Sequence, residues 1–119
     1  MIEKRKLLYW EGSSKKDFKQ SPVPVQKDMG VALFVVQLGR TPESAKPWKG
    51  FGSGVYELVG DHRGDTFRAV YTVRVRDEVH VLHAFQKKSR SGIATPQLEV
   101  KLIEKRLKAV LARGASRRS

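Results

Sequence analysis

The sequence contains no cysteine. That excludes a disulfide scaffold, a thiolate metal site and a cysteine nucleophile. It also fits a reducing compartment, and a cytoplasmic protein is expected. Histidine is scarce, with three in the chain. They are scattered and, with no cysteine beside them, give no metal-ligand spacing, so no metal or cofactor is expected. No apolar run approaches the roughly 20 residues of a membrane span. The start of the chain (MIEKRKLLYWEG) has charges and only a short apolar stretch, unlike an export leader, and no membrane partner is expected. Acidic residues are few: 12 Asp and Glu stand against 24 Lys and Arg, a net charge of +12. Such a balance points to polyanionic or acidic partners.

What is present suits one folded domain. The 119 residues are 39% hydrophobic and 30% charged, enough for a core without staples. The charge is uneven. From Lys87 to the end there are ten basic residues and two acidic ones. A solvated last helix with a basic tail would look like this, and so would an anion-binding surface.

Lys6 to Trp10 reads as a first strand, and Ser14 ahead of Asp17 as a capping-box-like start of a short helix. A second helix is expected from Pro22 or Pro24 to Leu38, with Gly39 just past its end. Val25, Met29, Ala32, Leu33 and Val36 fall on one of its faces. Val31, Phe34 and Val35 lie off that stripe, so the helix is covered on more than one side or offers an apolar strip to a partner. A loop rich in Gly and Pro follows, Gly39 to Gly54. It lacks the spacing of a nucleotide-binding P-loop.

Val55–Val59, Thr66–Arg76 and Val79–Gln86 read as three strands of an antiparallel meander. Thr95-Pro96 opens a last helix, with Val100, Ile103, Leu107, Val110 and Leu111 on its apolar face and Gly114 at its end. The expected order is β-α-α-β-β-β-α: an α+β fold, a small antiparallel sheet with its helices on one face. The expected domain is 1–113, with 114–119 a disordered basic tail.

Strand phase can be worked out from the turns. With Asp77-Glu78 as a two-residue turn and Val59 opposite Thr66, Glu57 opposes Arg68, Thr72 opposes His83, and Arg68 opposes Lys87. Glu57, Arg68, Thr72, His83, Phe85 and Lys87 then share one face. Tyr56, Leu58, Phe67, Ala69, Tyr71, Val73, Leu82 and Ala84 make the core face. A two-residue error preserves this phase, whereas a one-residue slip destroys it. Lys49, on the lead-in loop, could reach the same rim.

That set suits phosphodiester cleavage by RNA's own 2′-hydroxyl, which needs a base, an acid and cations for the crowded phosphate. Glu57, His83 or Lys49 could take the proton. Arg68 and Lys87 could hold the phosphate, and Phe85 could stack on a base. Each residue also has a plain structural reading. Glu57 with Arg68 could be only a cross-strand ion pair, His83 a hydrogen-bonded structural histidine, and Phe85 part of the core.

Four blocks resemble a known family. Lys46-Pro-Trp-Lys-Gly-Phe-Gly-Ser-Gly-Val-Tyr-Glu-Leu, Thr66-Phe-Arg-Ala-Val-Tyr-Thr-Val, His83-Ala-Phe-Gln-Lys-Lys-Ser and Gly92-Ile-Ala-Thr-Pro are similar to the HigB-like, phage-related branch of the RelE/ParE toxin superfamily. The likeness covers about residues 8–111. It implies a RelE-like α+β fold. It also implies the toxin of a type II toxin–antitoxin pair: a metal-independent endoribonuclease that cuts mRNA on translating ribosomes and is silenced by a cognate antitoxin with a DNA-binding domain. Carried over by position, the resemblance marks Lys49, Arg68, His83, Lys87 and Lys88 as site residues. Lys46, Phe85, Lys88 and Arg90 are the expected RNA contacts. The alternatives from other classes are a ParE-like gyrase inhibitor without ribonuclease activity and a non-catalytic nucleic-acid-binding module.

Overall fold

A computed structural model describes residues 4–87 and 95–118. The elements run β1 (Leu7–Trp10), α1 (Ser14–Phe18), α2 (Val23–Gln37), β2 (Ala45–Pro47), β3 (Val55–His62), β4 (Asp65–Thr72), β5 (Glu78–Lys87) and α3 (Gln97–Arg118). They form one five-stranded sheet in the order β1-β5-β4-β3-β2. The α+β class stands, but the strands of the sheet differ from the sequence reading in two ways. A fifth strand, β2, pairs antiparallel with β3 through only three residues, one of them a proline. The sheet is also mixed, because β1 pairs parallel with β5. That pairing joins segments far apart in the chain, so no turn signal could announce it.

The second helix matches the sequence closely. Val25, Met29, Ala32, Leu33 and Val36 are its buried residues. At its end the Gly39 N–H donates to Val36 O and the Arg40 N–H to Val35 O, with Gly39 at φ 88°. This is a Schellman stop, and the left-handed position calls for glycine. Off the stripe, Val31 is 66% exposed and Phe34 43%, with the Arg5 guanidinium 5.6 Å from the centre of the Phe34 ring.

β3 and β5 run longer than expected, β4 ends earlier, at Thr72 rather than Arg76, and the first hairpin is tighter. His62 pairs Asp65 across a two-residue turn, Arg63 (φ 50°) and Gly64 (φ 84°). Two positive φ values in succession suit the right-handed strand twist. This moves the register by two, so Glu57 opposes Val70, and Arg68 opposes Val59 on one side and Phe85 on the other. The phase survives. Beyond Val70 it changes, because a bulge between Val70 and Tyr71 shifts the β4–β5 register by one. Leu82 therefore leaves the expected core face for the opposite one.

The sheet has a core on each face, which corrects the expectation of helices on one side. Leu58, Ala69, Tyr71, Val79, Val81 and Ala84 pack with Phe18 and the α2 stripe. Val55, Val70 and Leu82 pack with Ile103, Leu107 and Val110 of α3. The last helix does not stop at Gly114 but continues to Arg118. Gly114 is there for close approach: a Cβ would come within 2.9 Å of Val75 Cγ2.

A polar clasp ties three elements together where β1 ends. His80 is 3% exposed. Its Nδ1 lies 2.8 Å from Glu11 and its Nε2 2.7 Å from Glu78. Both ring nitrogens thus face a carboxylate. Tyr9 stacks on the imidazole, and Arg113 of α3 pairs with the other Glu11 oxygen. Burial acts to raise the Glu11 carboxyl, but bonds from His80 and Arg113 outweigh it and hold the group below its usual value of 4.5. Its folded pKa is depressed, so its contribution is full above pH 4.5 and disappears as pH falls through the lower folded value. Glu11→Gln should cost about 1.5–3 kcal/mol at neutral pH. The gap in melting temperature from the parent should close between pH 4.5 and more acidic solution. A gap unchanged by acid would show that the carboxylate charge is not what holds the clasp.

Candidate active site

The face shared by Glu57, Arg68 and Lys87 is only partly covered by α3, and a groove of about 660 Å³ opens beyond the start of that helix. Its floor is Glu57 from β3, Arg68 from β4 and Lys87 from the end of β5. One wall is Lys46, Pro47, Trp48 and Lys49, held against β3 by β2 pairing and by the Trp48 N–H bond to Val55 O (2.9 Å). The other wall is Thr95, Gln97 and Val100, where α3 begins. Among the described residues that line it, four side chains are cationic and one is anionic. Such a groove attracts anions and can stabilise charge that builds up on them.

Arg68 and Glu57 meet on the floor. Arg68 Nη1 lies 2.7 Å from Glu57 Oε2, and the side chains are 18% and 12% exposed. Oε2 nevertheless has no aligned hydrogen-bond donor, and the buried Arg68 Nε has no acceptor among the described residues. The contact is thus an ion pair that leaves guanidinium donor capacity unused. The indole N–H of Trp48 in the wall is likewise buried without an acceptor among the described residues.

The structure therefore brings together Glu57, Arg68 and Lys87, as the strand phase implied, with Lys49 from the lead-in loop and Lys46, an expected RNA contact, beside them. His83 is on the same face but outside the groove. It is buried, with Nε2 2.6 Å from Glu99 of α3 and Nδ1 3.4 Å from Arg106 Nη1. Arginine can only donate, so Nδ1 accepts and the Nε2 proton goes to Glu99. Phe85 stacks on His83, with ring centres 5.2 Å apart. These two line a second cavity rather than the cationic groove. Lys88 and Arg90 lie outside the described residues.

The sequence reading did not find Trp48, Thr95, Gln97 and Val100 as groove residues, nor Glu99 as the partner of His83. The Thr95-Pro96 helix start was the available signal, since it places the first turn of α3 soon after β5 ends.

Comparisons with known proteins agree with this architecture. The family described as phage derived protein Gp49-like (DUF891) matches residues 16–108. No curated protein matches the chain in sequence. Among solved structures, the isolated E. coli RelE toxin is 19% identical, covers 84% of this chain and 97% of its own, and superposes with a TM-score of 0.57. The intact E. coli RelBE toxin–antitoxin complex gives 20% identity, 71% and 99% coverage and a TM-score of 0.53.

Proposed function

The chain belongs to the phage-derived Gp49-like family and has the RelE fold, and from that premise we propose that it is the toxin of a type II toxin–antitoxin pair, an endoribonuclease that cuts mRNA. The observation that carries this reading is the groove, where, among the described residues, Lys46, Lys49, Arg68 and Lys87 surround the carboxylate of Glu57.

The chemistry follows from that set. The RNA backbone lies along the groove with Lys46 and Lys87 near its phosphates. Glu57 takes the proton of the 2′-hydroxyl, whose oxygen attacks the neighbouring phosphorus. Arg68 and Lys87 bear on the phosphoryl oxygens as the fifth bond forms. The bond to the 5′-oxygen breaks, and Lys49 supplies the proton that this oxygen takes up. The products are a 2′,3′-cyclic phosphate and a free 5′-hydroxyl. His83 does not join the transfer, since its ring nitrogens are engaged by Glu99 and Arg106. A cognate antitoxin with a DNA-binding domain would silence the toxin. The exposed Val31 and Phe34 of α2 give it an apolar strip to cover.

The test is cleavage of a defined mRNA, naked and on translating ribosomes, with EDTA present. The expected result is cuts with 2′,3′-cyclic ends, and more of them on ribosomes. Intact RNA in both settings, with growth arrest on expression, would move the reading to a toxin of the gyrase-inhibiting kind.

A further inference from the structure

A second cavity, of about 350 Å³, lies between α1 and the end of β5. Its lining includes Asp17, Gln20, Phe67, His83, Phe85 and Glu99. Among the described residues no lysine or arginine lines it, in a chain whose net charge is +12. Against this described lining a phosphate would meet two carboxylates, which sets the cavity apart from the cationic groove. A flat, neutral group that offers N–H donors matches it far better.

Its place relative to the groove narrows the choice. Phe85 and Lys87 stand on the same face of β5, two residues and hence about 7 Å apart. Phe85 also opposes Arg68 directly across the β4–β5 pair. A chain whose phosphate lies on Arg68 and Lys87 thus has its neighbouring nucleoside at Phe85. That ring is only partly buried, and its orientation is set by stacking on His83, which Glu99 and Arg106 hold. An aromatic face fixed in this way is a platform for a base. Of the two carboxylates, Glu99 is occupied by His83, whereas among the described residues Asp17 takes only a hydroxyl bond on Oδ2, from Ser13 at 2.8 Å.

We propose that this cavity is a base-reading pocket of the ribonuclease: Phe85 stacks the base beside the cut, and Asp17, with Gln20 next to it, favours guanine. Guanine's Watson–Crick edge presents N1–H and the N2 amino group side by side, which one carboxylate can accept together. Adenine, cytosine and uracil do not offer that adjacent pair of donors. The inference rests on the ribonuclease reading above, because it assigns that activity its sequence preference.

The experiment compares parent, Asp17→Asn and Phe85→Leu on RNA randomised around the cut, alongside an NMR titration with GMP, AMP, CMP and UMP. Asparagine keeps a partner for Ser13 but removes the paired acceptor. The parent should favour guanine at one position beside the cut, and Asp17→Asn should lose about tenfold of that preference, the order of one bidentate contact. Phe85→Leu should weaken cleavage for every base at that position. GMP should shift the Phe85 and Asp17 signals more than the other nucleotides do. Cleavage with the same base distribution in parent and Asp17→Asn would overturn the pocket and leave the ribonuclease standing. So would an Asp17→Asn effect confined to antitoxin affinity. If the parent cuts no RNA, the ribonuclease reading falls, and GMP binding no tighter than UMP would then overturn the pocket independently.

Discussion

Arg68→Ala is expected to lower RNA cleavage by about 100- to 1000-fold, the range for removing one preorganised donor from a transition state. The position explains the size. Arg68 comes from a central strand, is 18% exposed, and is held by Glu57 at 2.7 Å. A guanidinium fixed before substrate arrives spends little ordering energy when charge develops on the phosphate. Truncation also strands Glu57, which is 12% exposed, so some loss of stability should accompany the loss of rate. Two controls separate the effects. Arg68→Lys keeps the charge on Glu57 while losing the two-pronged geometry, and should fall between parent and Arg68→Ala. Thermal unfolding of each variant shows how much protein is folded at the assay temperature. A rate drop below about threefold, well short of that range, in a folded Arg68→Ala protein would remove Arg68 from the chemistry.

Ile103→Ala should be the most damaging of the simple core truncations on the site face, at about 2–5 kcal/mol. Ile103 is fully buried, and Val55, Val70, Leu82, Leu107 and Val110 belong to the same cluster. That cluster is what seats α3, whose Arg106 donates to Leu82 O at 2.8 Å and whose first turns wall the groove. The loss should appear as a lower denaturant midpoint with an unchanged slope, and as faster amide exchange along α3 than along α2. Lys108→Ala, on the exposed side of the same helix with only a 3.9 Å contact to Glu104, should stay within about 0.5 kcal/mol. Equal costs for the two variants would mean that α3 does not depend on this cluster.

Helix α2 was readable at all five buried positions and at its Gly39 stop, because 3.6-residue spacing and a left-handed terminus are local properties. The functional face was readable for a different reason. Both hairpin registers were two residues away from the assumed ones, and an error of two returns every side chain to its own face. Glu57 and Arg68 meet even though Glu57 actually opposes Val70. The same logic shows where reading had to fail. The bulge after Val70 inserts a single residue, and Leu82 changes faces with it.

The sequence by itself determined the basic charge, the amphipathic stripes and the alternation that gathers Glu57, Arg68 and Lys87. These depend on residue type and short-range period, and a chain carries both before it folds. Tertiary structure decided the rest. It paired β1 with β5, seated α3 on the second face of the sheet, and gave His83 its partner in Glu99. That docking closes one wall of the groove and turns His83 from a candidate base into the support beneath Phe85. Such contacts join segments whose separation carries no periodic signal, and they exist only once both cores have formed.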